Sequence, residues 1–339
     1  MRVVVLGGTG FIGGYAVRAL VRNDHEVTVF HRGAEEPDLP SSVRHVHGRF
    51  ERLPDYREEL QRRRPEVVLD MVPYLDKSGH GSAHFRGIAE RAVVISSGDV
   101  YRAFARLWSS EPGPPDPVPL REDSPLRTLR APDANPGEAF DNLEVESAAL
   151  ADAALPATVL RLPATHGPGD RQHRLARYLR SMRDGRAAIL LGEDHAYWRW
   201  SRGYVENVAA AIALAVGDVR ATGRVYNVGA EPARSEADWV RGIASFSGWD
   251  GEVRIVPDEE LPAALRQPFN FKQHVELDTT AIRSELGFRE PVDETEGLRR
   301  TIEWESKTLD QVPDLRVDYG AEDEVLGRLV GDSMGDGSS

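Results

Sequence analysis

The stretch Val3-Val4-Val5-Leu6-Gly7-Gly8-Thr9-Gly10-Phe11-Ile12-Gly13-Gly14 joins an apolar, β-branched run to a cluster of glycines. Beyond the glycines, apolar side chains recur at helical spacing, at Ile12, Tyr15, Ala16, Ala19 and Leu20. The apolar run is typical of a buried parallel strand, and the spacing after it indicates a helix. The stretch therefore predicts a strand, a tight turn and a helix.

The turn between them, Gly8-x-Gly10-x-x-Gly13, matches the fingerprint of dinucleotide binding. One glycine permits the turn, a second lets the backbone approach a pyrophosphate, and the third lets the helix pack closely. The N-terminal amides and dipole of the helix then hold the anion. A turn that binds nothing is the alternative, but the flanking strand and helix favour a dinucleotide site formed by Gly7, Gly8, Thr9, Gly10, Phe11, Ile12 and Gly13.

The composition is that of a soluble globular protein, with 339 residues of which 40% are hydrophobic and 29% charged. This length suggests one large or two coupled domains. Without cysteine, disulfides, thiolate nucleophiles and cysteine-ligated zinc are excluded, and we expect a cytoplasmic protein. The net charge of −13 argues against a nucleic-acid partner. Because the N-terminus is the first strand and apolar runs are short, we expect neither signal peptide nor membrane span.

Strand-like and helix-like segments alternate along most of the chain. The strand-like runs are 27–30, 43–48, 65–73, 92–97 and 157–163, and the helical ones include 53–64, 138–154, 174–184, 205–216, 236–247 and 295–305. Such alternation predicts βαβ units with ligands at the carboxyl ends of parallel strands. The expected fold class is α/β: a Rossmann-type doubly wound parallel sheet with a smaller C-terminal substrate-binding domain.

The ends of the strands supply further candidate cofactor residues. The second strand ends in His31-Arg32-Gly33, with no carboxylate before Glu35. An acidic residue there suits the ribose of NAD, whereas arginine suits the 2′-phosphate of NADP, so we favour NADP, with NAD as the alternative. Val72, Ser96 and Pro163, at later strand ends, complete the predicted cofactor site.

Composition also divides the chain. We expect a dinucleotide-binding domain over 1–165, to which segments near 199–228 return, a mainly substrate-binding part over 166–309, and an acidic, flexible tail over 310–339. The proline-rich segment 111–119 is either a simple linker or part of the wall over the active site.

These motifs together resemble the extended short-chain dehydrogenase/reductase family, of the NAD(P)-dependent epimerase/dehydratase type. The resemblance rests on residues 7–13, Ser96-Ser97-Gly98-Asp99-Val100-Tyr101, and segments 160–169, 203–209, 226–229 and 286–288. It implies a serine or threonine together with a Tyr-x-x-x-Lys pair on the helix before the sixth strand. In such a pair the ammonium lowers the pKa of the phenol, and the phenolate exchanges a proton with substrate while the nicotinamide exchanges hydride.

Ser97 occupies the serine position, but the Tyr/Lys pair is missing. If Glu146 marks the register, the pair becomes Glu138 and Asn142; the other register gives Phe140 and Glu144. Neither supplies a phenol or an ammonium. Ordinary carbonyl reduction by the family's mechanism is therefore in doubt.

Several groups are candidates to replace the pair. Asp99 lies near the acidic position of family dehydratases, Tyr101 follows the fifth strand, and Glu138 stands at the tyrosine position in one register. Asp99 and Tyr101 each have a structural alternative, a turn cap for Asp99 and packing for Tyr101. A carboxylate at Glu138 could act as a base if burial raised its pKa. His166, after the sixth strand, is assigned to the substrate site, although a loop histidine is often structural.

The segment Trp198-Arg199-Trp200-Ser201-Arg202 alternates like a strand, which would place Trp198, Trp200 and Arg202 on one face. Indole rings stack on sugars or flat rings, and arginine binds carboxylate or phosphate. We therefore assign Trp200, Arg199 and Arg202 to a pocket for a polar or anionic substrate. The alternative is that the tryptophans are core and the arginines pair with surface acids.

The sequence thus predicts an NAD(P)-dependent epimerase, dehydratase or reductase acting on a small polar substrate with a substituted acid/base set. The alternative is a redox-silent dinucleotide-binding protein with a sensing or partner-binding role. The expected partner is a small-molecule substrate, without nucleic acid or membrane; a homodimer is compatible with this, and no metal site is assigned.

Overall fold

A seven-stranded sheet, parallel throughout, organises the chain in the computed structural model. The structure describes residues 1–33, 38–72, 75–76, 79–129, 141–261, 265–312, 315 and 319–335. Its strands are β1 Arg2–Leu6, β2 Glu26–His31, β3 Arg44–His47, β4 Val67–Asp70, β5 Leu75–Asp76, β6 Gly79–His80, β7 Arg91–Ser97, β8 Ala157–Leu162, β9 Ala164–His166, β10 Ala188–Gly192, β11 Arg202–Tyr204, β12 Val225–Asn227 and β13 Glu252–Val256.

The strand order in the sheet is β12-β8-β7-β4-β1-β2-β3. If only the strands of this sheet are numbered in chain order, the order is 7-6-5-4-1-2-3. This is the order of doubly wound folds, and it reverses between β1 and β4. The predicted fold class is therefore confirmed. The remaining strands form three small pairs, of which β10–β13 and β9–β11 are parallel and β5–β6 is antiparallel.

Helices pack on both faces of the sheet and in a separate core beyond it. They are α1 Phe11–Arg22, α2 Arg57–Arg62, α3 Arg102–Leu107, α4 Asn142–Leu150, α5 Ala176–Arg183, α6 Glu193–Tyr197, α7 Val205–Gly217, α8 Glu236–Ser247, α9 Thr280–Leu286, α10 Glu294–Thr308 and α11 Tyr319–Gly335. Val3 and Val5 of β1 pack under α1 and α7, whereas Val4 and Leu6 face the opposite core with α4. Burial on both faces explains why β1 is continuously apolar.

A further core lies beyond the sheet, where α5, α8 and α10 pack around Trp239 and the β10–β13 pair. The chain does not divide cleanly in sequence. Strand β12 joins the main sheet beside β8, and Ile282 and Leu286 of α9 pack into the core under α1. Helix α9 thus lies on the dinucleotide-binding side, although its number falls within the expected substrate-binding part.

The expectation of a loose tail is wrong for the first part of α11. Glu322 and Val325 are 3% and 1% exposed. Val325 packs with Leu190 and Val256 of the β10–β13 pair, and the hydroxyl of Tyr319 donates to Asp184 at 2.6 Å. The segment is acidic in composition, but it also contains a few apolar residues that pack against the β10–β13 pair in the folded chain.

The proline-rich segment 111–119 is neither a simple linker nor part of the cavity wall described below. Asp116 is buried and ion-paired with Arg102 and Arg106, and its backbone amide donates to Gln273. The segment therefore fastens α3 to the chain near residue 273.

The closest backbone approach in the glycine turn is between Gly13 of α1 and Gly8. A Cβ on Gly13 would lie 2.7 Å from Cα of Gly8, whereas a Cβ on Gly10 would meet nothing within 4 Å. We expect Gly13→Ala to lower the free energy of unfolding by about 1–3 kcal/mol, the usual range for overpacking. Gly10→Ala is the matched control and should unfold like the parent. Urea denaturation measures both, and equal stability of the two variants would contradict the contact.

Candidate active site

The carboxyl ends of the central strands line up in the order β8, β7, β4, β1, β2 and carry most of the predicted site. Ser97 is the last residue of β7. Pro163, Val72 and Arg32 lie within two residues after the ends of β8, β4 and β2, and the glycine turn follows β1. In doubly wound sheets ligands bind along this edge, beside the point where the strand order reverses.

The glycine turn has the backbone that the fingerprint requires. Gly7 and Gly8 have φ of +90° and +81°, a region that residues with a Cβ rarely adopt. Gly10 caps α1 and is exposed, with no protein atom where its Cβ would be. The open space in front of the N-terminus of α1 fits a pyrophosphate. Val72 packs against this turn, because a Cβ on Gly7 would lie 2.9 Å from its Cγ2 atom.

Two of the predicted cofactor side chains are used inside the protein instead. Ser96 is buried and donates to Glu146 at 2.9 Å, on the face of β7 opposite to Ser97. His31 is 2% exposed, and its two ring nitrogens contact His45 and the amide of Gly33. Both assignments are corrected, because strand alternation and the register with β3 turn these side chains inward. Arg32 is exposed.

A cavity of about 560 Å³ opens where β7 and β8 end. Ser97, Asp99 and Pro163 form its floor, and helix α3 contributes part of one wall. The opposite wall is aromatic and charged, with Trp198, Trp200, Arg202, Tyr178, Glu236, Trp239 and Phe271. This is the concave, largely apolar space with a few polar groups that small-molecule sites have.

Asp99, on the cavity floor, is hydrogen-bonded to Asn142. The Nδ2 atom of Asn142, the first residue of α4, donates to the Asp99 carboxylate oxygens at 3.1 and 3.4 Å. Oγ of Ser97 accepts from the Asp99 amide at 3.3 Å. The Ser97 hydroxyl proton therefore remains available for a further acceptor.

The start of α4 shows where one residue of each alternative register, Asn142 or Glu144, is placed. Asp141 caps the helix through a capping box, in which Glu144 accepts from the Asp141 amide at 3.2 Å. Asn142 contacts the cavity residue Asp99, whereas Glu144 is used by the cap. Glu138 and Phe140 lie outside the described residues.

Tyr101 is corrected as an acid/base candidate. Its side chain is fully buried, its hydroxyl donates to Asn227 at 2.7 Å, and Arg161 donates to it at 2.9 Å. Burial raises the pKa of Tyr101 to about 12. Tyr101 therefore links β7 to β8 and β12 and packs as a structural residue, the alternative weighed from the sequence.

His166 is corrected as a substrate residue for the same reason. It is 2% exposed, and its Nδ1 atom lies 3.0 Å from Oγ1 of Thr301. Thr301 donates to the carbonyl of Gly297, so it accepts from His166. Burial, with smaller contributions from Arg202 and Arg174, lowers the pKa of His166 to about 3.

The two arginines of the aromatic segment lie in different places. Arg199 is exposed and donates to the carbonyl of Ala233 at 2.8 Å, so its assignment to the pocket is corrected. Arg202 faces the cavity with Trp198 and Trp200, pairs with buried Glu236, and lies 4.6 Å over the ring of Trp239. Alternation along the segment separates the two arginines.

Several cavity residues escaped the sequence analysis. Arg177 of α5 and His195 and Phe271 line both this cavity and an adjoining one of about 320 Å³. The basic character of the segment 174–184 was visible in the sequence, but not which of its arginines faces inward. The rings of His195 and Phe271 are stacked 4.2 Å apart, a contact that only the fold creates.

The comparisons with known proteins agree with this architecture. The model of the NAD dependent epimerase/dehydratase family matches residues 3–229. The chain belongs to that family. The expectation of an epimerase/dehydratase-type enzyme with a nicotinamide dinucleotide cofactor is thereby confirmed.

Two curated relatives are similar in sequence. The chain is 31% identical over 234 residues to 2′-dehydrokanamycin reductase of Streptomyces kanamyceticus, a match that covers 66% of this chain and 60% of the relative. It is 27% identical over 338 residues to dTDP-glucose 4,6-dehydratase of Streptomyces niveus, covering 90% and 92%.

Solved structures share the fold of this family member. The dTDP-glucose 4,6-dehydratase of Bacillus anthracis, in complex with NAD, aligns with a TM-score of 0.66 at 18% identity, over 93% of this chain and 100% of that chain. The UDP-glucose 4-epimerase of Thermotoga maritima, with UDP-glucose, aligns with a TM-score of 0.64 at 19% identity, over 91% and 100%. In the described part of the chain, no helix has the length and apolarity to cross a membrane.

The buried His166 predicts a specific acid sensitivity. Between about pH 3 and 6.5 its imidazole is neutral when folded and protonated when unfolded, so unfolding takes up a proton. The free energy of unfolding should therefore fall as the pH is lowered through this window. His166→Asn, which retains a donor for Thr301, should flatten this dependence in urea titrations at several pH values. Equal slopes in the parent and in His166→Asn would refute the assignment.

Proposed function

We propose that this enzyme exchanges hydride between NADP and a hydroxylated substrate of the sugar-nucleotide class, with a substituted acid/base set. The supporting observation is the single cavity that joins Ser97 and Asp99, at the end of β7, to Trp200 and Arg202 on the opposite wall. Gly10 and the N-terminus of α1 would hold the pyrophosphate, and Arg32 the adenosine end. When bound, the nicotinamide accepts or supplies the hydride.

Proton transfer needs a group other than the usual tyrosine. The sequence contains no Tyr-x-x-x-Lys, because its three lysines, Lys77, Lys272 and Lys307, are each preceded four residues earlier by proline or glutamate. Asp99 is a titratable group on the cavity floor and adjoins Ser97. We assign Asp99 as the group that exchanges the proton, with Glu138 as the competing candidate.

The contacts of Asp99 support this assignment. Asn142 holds the carboxylate through hydrogen bonds of 3.1 and 3.4 Å, and α4 fixes the position of Asn142. The Ser97 hydroxyl, which accepts from the Asp99 amide, donates its own proton to a substrate oxygen. A donor and a proton acceptor thus meet one substrate hydroxyl, as general acid–base chemistry requires.

The cavity walls support a substrate with a hydroxylated ring and an anionic part. Trp198 and Trp200 supply ring faces, and Arg202 uses one side of its guanidinium for Glu236. Its Nη1 atom is buried without a hydrogen-bond partner within the described ranges, and thus remains for a ligand. Arg177 stands where the two cavities adjoin, and a sugar with a diphosphate extension fits this elongated space. The relatives named for dTDP-glucose and UDP-glucose favour the same class.

The choice of NADP is tested at Arg32. Arg32→Asp should lower the affinity for NADPH by about 10- to 100-fold, the loss of a charge-assisted hydrogen bond of about 1.5–3 kcal/mol, and change NADH binding much less. Arg121→Asp, an exposed change elsewhere, is the matched control, and Gly10→Val should abolish binding of both dinucleotides. Fluorescence titration measures all four proteins. If the parent binds NADH more tightly than NADPH, or if Arg32→Asp leaves the NADPH affinity unchanged, the assignment is wrong.

The reaction class is tested by turnover. The protein with NAD or NADP is incubated with nucleoside-diphosphate sugars, and mass spectrometry with chromatography separates dehydration, epimerisation and redox change. Asp99→Asn should lower kcat by about 10²–10⁴-fold at unchanged dinucleotide affinity. Asp123→Asn, which changes an exposed aspartate outside the cavity, should leave kcat unchanged. Full activity of Asp99→Asn would transfer the role to another group, and dinucleotide binding without turnover of any sugar would favour the redox-silent alternative.

A further inference from the structure

Three histidines converge on one face of the sheet edge, outside the cavity. His45 and His47 lie two residues apart on β3 and therefore point to the same face. In the parallel register, His31 at the end of β2 is the partner of His47. Val29 and Val43, on the same face, pack into the core with α1. The cluster is thus held by two paired strands rather than by a loop.

The ring nitrogens of the three histidines lie close together. One ring nitrogen from each of the three histidines lies within 4.8 Å of the others, and His31 Nε2 is 2.9 Å from His45 Nδ1. Zinc bound at about 2.0–2.1 Å by tetrahedral nitrogens needs nitrogen–nitrogen separations of about 3.3 Å. His45 is partly exposed and His47 is exposed, so protein atoms do not enclose either ring on all sides.

We propose that His31, His45 and His47 bind a divalent transition-metal ion of the zinc class, with solvent in the fourth position. Neutral imidazoles suit zinc, nickel and copper, whereas magnesium and calcium prefer oxygen ligands. These residues belong to two strands that only the pairing register brings together, so no metal site is predicted from the sequence.

Binding at this cluster is coupled to the turn that follows β2. The Gly33 amide donates to Nδ1 of His31 at 3.2 Å, so the single proton of the neutral ring lies on Nε2 and is donated to His45. A metal on Nε2 takes the place of that proton, which moves to Nδ1 and ends the bond from Gly33. Since Arg32 precedes Gly33, metal and dinucleotide oppose each other, a consequence that rests on the proposed function.

The test uses the full, untagged chain without dinucleotide and titrates Zn²⁺ alone by calorimetry. We expect one ion per chain, and at least about tenfold weaker binding in His45→Ala and in His47→Ala. His274→Ala, a histidine outside the cluster, is the matched control and should bind like the parent. Because His47 is exposed, its variant keeps the fold, which thermal melting verifies. Co²⁺ should give the visible absorption of a tetrahedral nitrogen site.

Two results overturn the site: a parent that binds zinc no more tightly than the His45→Ala/His47→Ala double variant, or an equal loss in His274→Ala. The coupling is measured separately, as the NADPH affinity with and without Zn²⁺. If the parent binds zinc but its NADPH affinity does not change with Zn²⁺, only the role of Arg32 is refuted. If the parent binds NADPH but not zinc, only the metal site is refuted.

Discussion

The contact between Gly13 and Gly8 is the constraint on which the site depends. With no side chain between them, α1 begins directly over the end of β1, and its free amides face the row of strand ends. The position of α1 in turn fixes α7, which packs beside it in the same core. Every residue assigned to the cofactor is placed relative to this turn.

On the other face of the sheet, a buried ion pair fixes the position of a helix relative to the strands. Glu146 of α4 pairs with Arg161 of β8 and accepts from Ser96 of β7, and all three are buried. Removing one partner would leave an uncompensated buried charge, so the three elements are held in one arrangement. The arrangement places Asn142, at the start of α4, within hydrogen-bonding distance of Asp99.

Burial divides the polar residues near the strand ends into two groups. Tyr101 and His166 are enclosed, and their pKa values move away from the range in which they would exchange protons at neutral pH. Asp99 and Arg202 keep access to the cavity while neighbouring side chains hold them. Enclosure stabilises the sheet, and access leaves groups for a substrate. Ser96 is buried and Ser97 lines the cavity, although they are neighbours in β7, because side chains alternate along a strand.

The sequence by itself determined the parallel sheet, the glycine turn and the alternation of residues 198–202, because these follow from local spacing and from the conformations that glycine alone permits. It also showed that a Tyr-x-x-x-Lys pair is missing. Only the tertiary structure decided that Tyr101, His166 and Ser96 turn inward, that Asn142 meets Asp99, and that His31 joins His45 and His47. Those outcomes depend on strand register and on contacts between residues far apart in the chain, and no local pattern encodes them.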